Sequence, residues 1–148
     1  MHMPAGSRYL NRISGPLLDR IDMQVEILPV PFDKLSTAAP GEASADIRRR
    51  VMTARDIQEE RYKDFKDIHC NAQMTESMIH KYTEPDEAGF RLLSNAMECL
   101  SLSARAYSRI LKVARTIADL DASHSVSAQH IAEAIGYRNL DRGDWAER

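Results

Sequence analysis

Arg105 and Arg109 stand one helical turn apart in the stretch LSLSARAYSRILKVARTIADL. Ser103 has the type and position of a helix N-cap, which puts Arg105 in the first turn. A cation there faces the positive end of the helix dipole, which is mildly unfavourable. The same place suits a bound anion, because free backbone N–H groups and the guanidinium converge on it. The four-residue spacing puts Arg109 on the same face. Two readings follow from this chemistry alone: a phosphate-contacting arginine, or an exposed one whose stem lies along the surface.

A second arginine draws notice in SGPLLDRID, where Arg20 lies between Asp19 and Asp22 just ahead of the alternating run MQVEI. Arg48, Arg49 and Arg50, with Arg55 and Arg61, offer cations to a phosphate backbone. Asp46, Asp56, Glu59 and Glu60 balance them, so the pattern reads better as a solvated helix face. His69 and Cys70 are adjacent while His80 and Cys99 are distant, a spacing that fits no usual zinc pattern, and no metal site is expected. The chain contains no G-x-x-x-x-G-K-[ST], G-x-G-x-x-G, G-x-S-x-G or H-E-x-x-H. A phosphate-cradling loop, a nucleophile elbow and a zinc-protease helix are therefore excluded from these residues.

The elements that must carry these side chains are mostly helical. Loose alternation from Met23 to Val30 predicts one strand, which the prolines of PVPF end. DKLSTAAPGEA is small and polar, a loop. Ser44 is expected to cap a first helix, with Asp46 in its first turn and Ile47, Val51, Ala54, Ile57 and Tyr62 recurring at helical spacing. That helix is expected to fade near Asp67. A short helix follows over Glu76 to Tyr82. Thr83, Pro85 and Asp86 predict a third start with proline in the first turn, and Leu93, Ala96, Met97 and Leu100 form its apolar face. Ala106, Ile110, Val113, Ala114 and Ile117 stripe the helix capped by Ser103. Ser127 caps a last helix, which Gly136 closes. The fold class is mainly α, about five helices preceded by one isolated β-strand. A lone strand lacks its ladder partners, which suggests a piece of something larger.

The 148 residues are 43% hydrophobic and 28% charged, with a net charge of -2 and a pI near 6.2. This fits one ordinary domain with a sizeable core, and it gives no global basic field for nucleic acid. No apolar run is long enough to cross a membrane, and no signal-peptide pattern is present. The two cysteines read as reduced, and a cytoplasmic location is expected.

The segments RYLNRISGPLLDRIDMQVEI, LSLSARAYSRILKVARTIADLDAS and VSAQHIAEAIGYRNLDR together resemble the C-terminal part of the magnesium-chelatase-like AAA+ ATPases, in particular the YifB/ComM family. The resemblance implies that residues 1–28 end the ATPase core, 29–43 link, and 44–148 form the helical lid. Transferred residue by residue, Arg20 would be the catalytic arginine finger acting on the neighbouring subunit's nucleotide. Arg105 would be the nucleotide-binding lid arginine called sensor 2, with Arg109 and Arg12 as secondary candidates and Arg8 on the same subunit edge. The Walker A and Walker B motifs are absent from this chain. ATP and Mg2+ are thus expected in the full-length protein, with no cofactor and no catalysis here. The resemblance further implies a homo-oligomeric ring, a hexamer, remodelling DNA by branch migration in natural transformation, with no membrane partner. Two alternatives stand beside it: a magnesium chelatase subunit inserting metal into a porphyrin, and a stand-alone helical adaptor for DNA or protein.

Overall fold

The computed structural model describes residues 17, 20–25, 27–31 and 41–138. Five α-helices lie among them: α1 (Ser44–Tyr62), α2 (Glu76–Tyr82), α3 (Glu87–Cys99), α4 (Ala104–Leu120) and α5 (Ala128–Gly136), with a 3-10 turn at Asn71–Gln73 between α1 and α2. The mainly α fold class is as expected. The expected strand runs through Glu26, outside the described residues, so its existence stays an expectation. No helix among the described residues is long and apolar enough to cross a membrane.

α4 is the hub. It packs against α1, α2, α5 and the 3-10 turn, while α3 packs on α5. The Ala106–Ile110–Ala114–Ile117 stripe buries as its spacing requires, with Leu111 and Ala118 beside it and Val113 partly covered. Ile79 from α2, Leu93 from α3 and Ile131 from α5 close on this stripe. Each such aliphatic side chain contributes about 1.5–3 kcal/mol on leaving water.

Local chemistry sets the helix ends. Ser103 Oγ accepts the Ala106 N–H at 3.2 Å, so the expected cap on α4 is present. At the other end Asp121 and Ala122 close a Schellman turn. Ser123 N–H donates to the Ala118 carbonyl at 2.8 Å and Ala122 N–H to that of Asp119 at 3.1 Å, with Ala122 at φ 52°. Ser127 and His130 form a reciprocal capping box on α5, the histidine ring taking the role usual for glutamate.

Three helix starts or stops differ from expectation. α3 is capped by Asp86, whose side chain accepts from Gly89 N–H at 2.6 Å. Pro85 lies outside the helix, in a parallel β-bridge with Val126. That bridge brings the α3 and α5 starts together, and a Cβ on Gly89 would lie 3.3 Å from Ala128 N and 3.2 Å from Pro85 Cβ. α1 is preceded by Ala43 at the cap position with no side-chain cap bond, and it ends at Tyr62 rather than near Asp67. Only Ala54, Gln58 and Tyr62 of α1 are buried. Ile47, Val51 and Met52 remain 41–46% exposed, so the N-terminal half of α1 extends past the helix it packs on.

Candidate anion cleft

The start of α4 opens onto a cleft of about 550 Å³. Arg105, Arg109 and Lys112 line one wall, at spacings that put them on one helix face. Asp22 and Met23 form part of the opposing side, and Val113, Ile117 and Leu120 supply an apolar surface between. The structure thus brings Arg105 and Arg109 together as their spacing predicts.

Arg105 is exposed and makes no hydrogen bond or ion pair with the described residues. Lys112 Nζ donates to the Ala72 carbonyl at 2.9 Å, and Ser108 Oγ donates to Glu76 at 3.0 Å. Arg109 forms an ion pair with the Asp22 carboxylate. The segment carrying Asp22 is held on either side of it. Arg138 Nη1 donates to the Ile21 carbonyl at 2.5 Å, and Gln24 N–H donates to the Tyr137 carbonyl at 2.8 Å. Gln24 is buried by this docking.

Arg20 is exposed, in a turn closed by its own N–H donating to the Leu17 carbonyl at 3.0 Å. It is not among the residues lining the cleft. Arg8 and Arg12 lie outside the described residues. Among the described residues no group of three or more His, Cys, Asp or Glu could hold a metal ion. His69 and Cys70 instead flank the 3-10 turn, where Gln73 Oε1 accepts from the His69 N–H at 2.7 Å.

The arginine-rich helix divides in two. Arg49 pairs with Asp46 at 3.1 Å and Arg50 with Glu42 at 2.8 Å, both pairs well exposed, in keeping with a solvated face. Arg61 does not belong to that face and corrects the reading that grouped it there. Its two Nη atoms grip the Asp119 carboxylate, with Nη1 to Oδ2 at 2.7 Å and Nη2 to Oδ1. Asn71 Nδ2 donates to the same carboxylate at 2.8 Å, and Arg115 Nε reaches Oδ1 at 3.1 Å. Arg115 also donates to the carbonyls of His124 and Ser123 in the loop after α4. The hydrogen bond from Arg61 to Asp119 raises the arginine's pKa despite its partial burial. Burial lowers that of Arg115, with Asp119 opposing. Both remain charged, since arginine titrates far above neutral pH. This network fastens α1 and the 3-10 turn to the last turn of α4, and so fixes the wall that carries Lys112. The i, i+4 spacing of Arg115 and Asp119 inside an apolar stripe was the available sign of it.

Taken together, the cleft sets three cations, Arg105, Arg109 and Lys112, among three carboxylates, Asp22, Glu76 and Glu133. It offers one uncommitted guanidinium, a second held by a carboxylate, and an apolar flank that suits a flat organic group.

Comparison with known proteins gives matches along most of the chain. Residues 41–138 match the family "Magnesium chelatase, subunit ChlI C-terminal", and residues 2–35 match "Magnesium chelatase, subunit ChlI". The chain is 43% identical over 136 residues to the uncharacterized protein YifB of Escherichia coli, covering 91% of this chain and 26% of that protein. It is 42% identical over 136 residues to competence protein ComM of Haemophilus influenzae, with the same coverage. It is also 33% identical over 131 residues to an uncharacterized protein of Mycobacterium tuberculosis, covering 88% of this chain and 26% of that one. The chain thus spans about a quarter of the length of these relatives.

Proposed function

We propose, from the premise that this chain belongs to the magnesium chelatase subunit ChlI C-terminal family, that it is the helical lid and the end of the core of a hexameric AAA+ ATPase. In this reading Arg105 contacts the phosphates of ATP, with Mg2+ supplied in the full-length protein, and Arg109 assists from one turn below. Arg20 reaches the nucleotide of a neighbouring subunit, so hydrolysis depends on ring assembly. The parent works in the cytoplasm and couples hydrolysis to DNA branch migration. Similarity to a competence protein supports that choice of substrate.

The observation that carries the reading is Arg105. It is exposed and without a partner among the described residues, beside a second arginine on a cleft of nucleotide size. Phosphoryl transfer spreads charge over the γ-phosphate oxygens, and a positioned cation stabilises it. A cation on a mobile lid would also tie nucleotide state to lid position. The description of the matched family favours a second reading, a motor for magnesium insertion into a porphyrin. A chelatase assay beside a branch-migration assay separates the two.

Arg105→Ala tests the site. Among the described residues the arginine has no partner, so the substitution should change stability by less than about 0.5 kcal/mol, as at ordinary surface positions. In the full-length ATPase it should weaken nucleotide binding or slow hydrolysis about tenfold or more, the scale of a charge-assisted contact. A destabilised chain with unchanged hydrolysis would remove Arg105 from the site.

A further inference from the structure

Of the three cations along the cleft, each is in a different state. Arg105 has no partner among the described residues, Lys112 is committed to a backbone carbonyl, and Arg109 is neutralised by Asp22. Asp22 itself is 56% exposed and lines the same cleft, so its carboxylate sits within the space an entering ligand would take. A carboxylate and a phosphate present a guanidinium with the same kind of paired oxygen acceptors. Two acceptors of like charge repel each other at one guanidinium, so a bound phosphate disfavours the Asp22 contact.

We propose that Asp22 is an internal counter-anion that competes with a phosphate ligand for Arg109. This rests on reading the cleft as a phosphate site. When a polyphosphate binds Arg105 and Arg109 together, Asp22 is displaced and one of the ties holding segment 21–24 to α4 and α5 is broken. The remaining two ties, from Arg138 to Ile21 and from Gln24 to Tyr137, keep the segment docked. Arg20 lies two residues before Asp22, on the far side of the Ile21 tie. Asp22 is a positioning residue. It parks Arg109 in the empty state and sets the ligand strength needed to claim it.

The size of the effect follows from the pair's exposure. A partly exposed ion pair of this kind shifts a competing equilibrium by a factor of about 1.4 to 5. The test is binding of inorganic tripolyphosphate to this chain at low ionic strength, followed by calorimetry, with thermal melts confirming that each variant folds. Asp22→Asn should tighten tripolyphosphate about threefold. In an Arg109→Ala background the same change should have no effect, because the competition needs Arg109. A gain that persists without Arg109 would reduce Asp22 to a general repulsive charge and overturn the proposal. So would an unchanged or weakened affinity in Asp22→Asn while Arg105→Ala still abolishes binding, an outcome that leaves the cleft reading intact. Undiminished affinity in Arg105→Ala would overturn the cleft reading itself, and this proposal with it.

Discussion

Removing the Asp119 carboxylate should be a severe perturbation, because it strips the shared acceptor from a buried polar network. Asp119 is fully buried, and its two oxygens accept from Arg61 twice, from Asn71 at 2.8 Å and from Arg115 at 3.1 Å. Arg115 is itself 3% exposed and Arg61 14%. Asp119→Ala leaves two guanidiniums in that site with no opposing charge, and breaking a buried pair from one side costs about 3–5 kcal/mol. Arg115 keeps its bonds to the Ser123 and His124 carbonyls and Arg61 can swing toward water, so about 3 kcal/mol is expected. Domains of this size are stable by only about 5–15 kcal/mol. Asp119→Asn should cost nearly as much, because a carboxamide offers one accepting oxygen and turns an NH2 group toward donors. Urea unfolding monitored by helical circular dichroism measures both, with an unchanged m-value required for the comparison. Adding Arg61→Ala to Asp119→Ala should cost little further, since the partner is already gone, giving a coupling energy above about 1 kcal/mol in the cycle. A loss below about 1 kcal/mol for Asp119→Ala with unchanged m would refute the claim that this carboxylate fastens α1 to α4.

Two further outcomes are expected. Burial pushes the Tyr62 phenol up to about 12 from the usual 10. The folded form thus holds its proton more tightly than the unfolded form. Its stability is intact below pH 10 and is lost as pH rises through 12. Tyr62→Phe gives up the bond to Asn71 Oδ1 at about 1 kcal/mol near neutral pH. It should then lose less stability than the wild type in urea titrations between pH 10 and 12, and parallel losses would contradict the assignment. In the full-length protein, Arg20→Ala should leave nucleotide binding nearly intact and cut hydrolysis about a thousandfold or more. Mixed with a subunit unable to hydrolyse ATP for want of its own phosphate loop, it should regain part of the rate. Mixed rings that form without any recovery would exclude a role in trans.

What could be read before folding was local. α2 runs over Glu76–Tyr82 as its pattern indicated, and Ser103 and Ser127 cap α4 and α5, because periodicity and capping act within one or two turns. Arg105 and Arg109 share a face for the same reason. Some misread positions were local, such as the cap and end of α1, but others were decided across the chain. Arg61 looks like its neighbours Arg55 and Lys63 until Asp119, 58 residues on, claims it. Pro85 has the type of a helix-starting proline, but its bridge to Val126 holds it outside α3. Asp22 gave no local sign of meeting Arg109, 87 residues away. Arg105 and Arg109 were therefore legible, while Lys112 and the carboxylate that occupies Arg109 were not.

The overhang of α1 has a mechanical consequence. Its burial against α4 begins only at Ala54, ten residues past its first residue, Ser44. At about 1.5 Å per residue, the part from the Gln58 contact to the N-terminal tip is a lever arm of roughly 20 Å. A rigid-body turn of about 15° in the lid would carry that tip roughly 5 Å, while residues near the pivot move by a fraction of it. The clamp of Arg61 on Asp119 lies at the short end of the arm, where torque is resisted best. Ile47, Val51 and Arg49 lie toward the long end, so whatever they touch would be displaced most by such a turn.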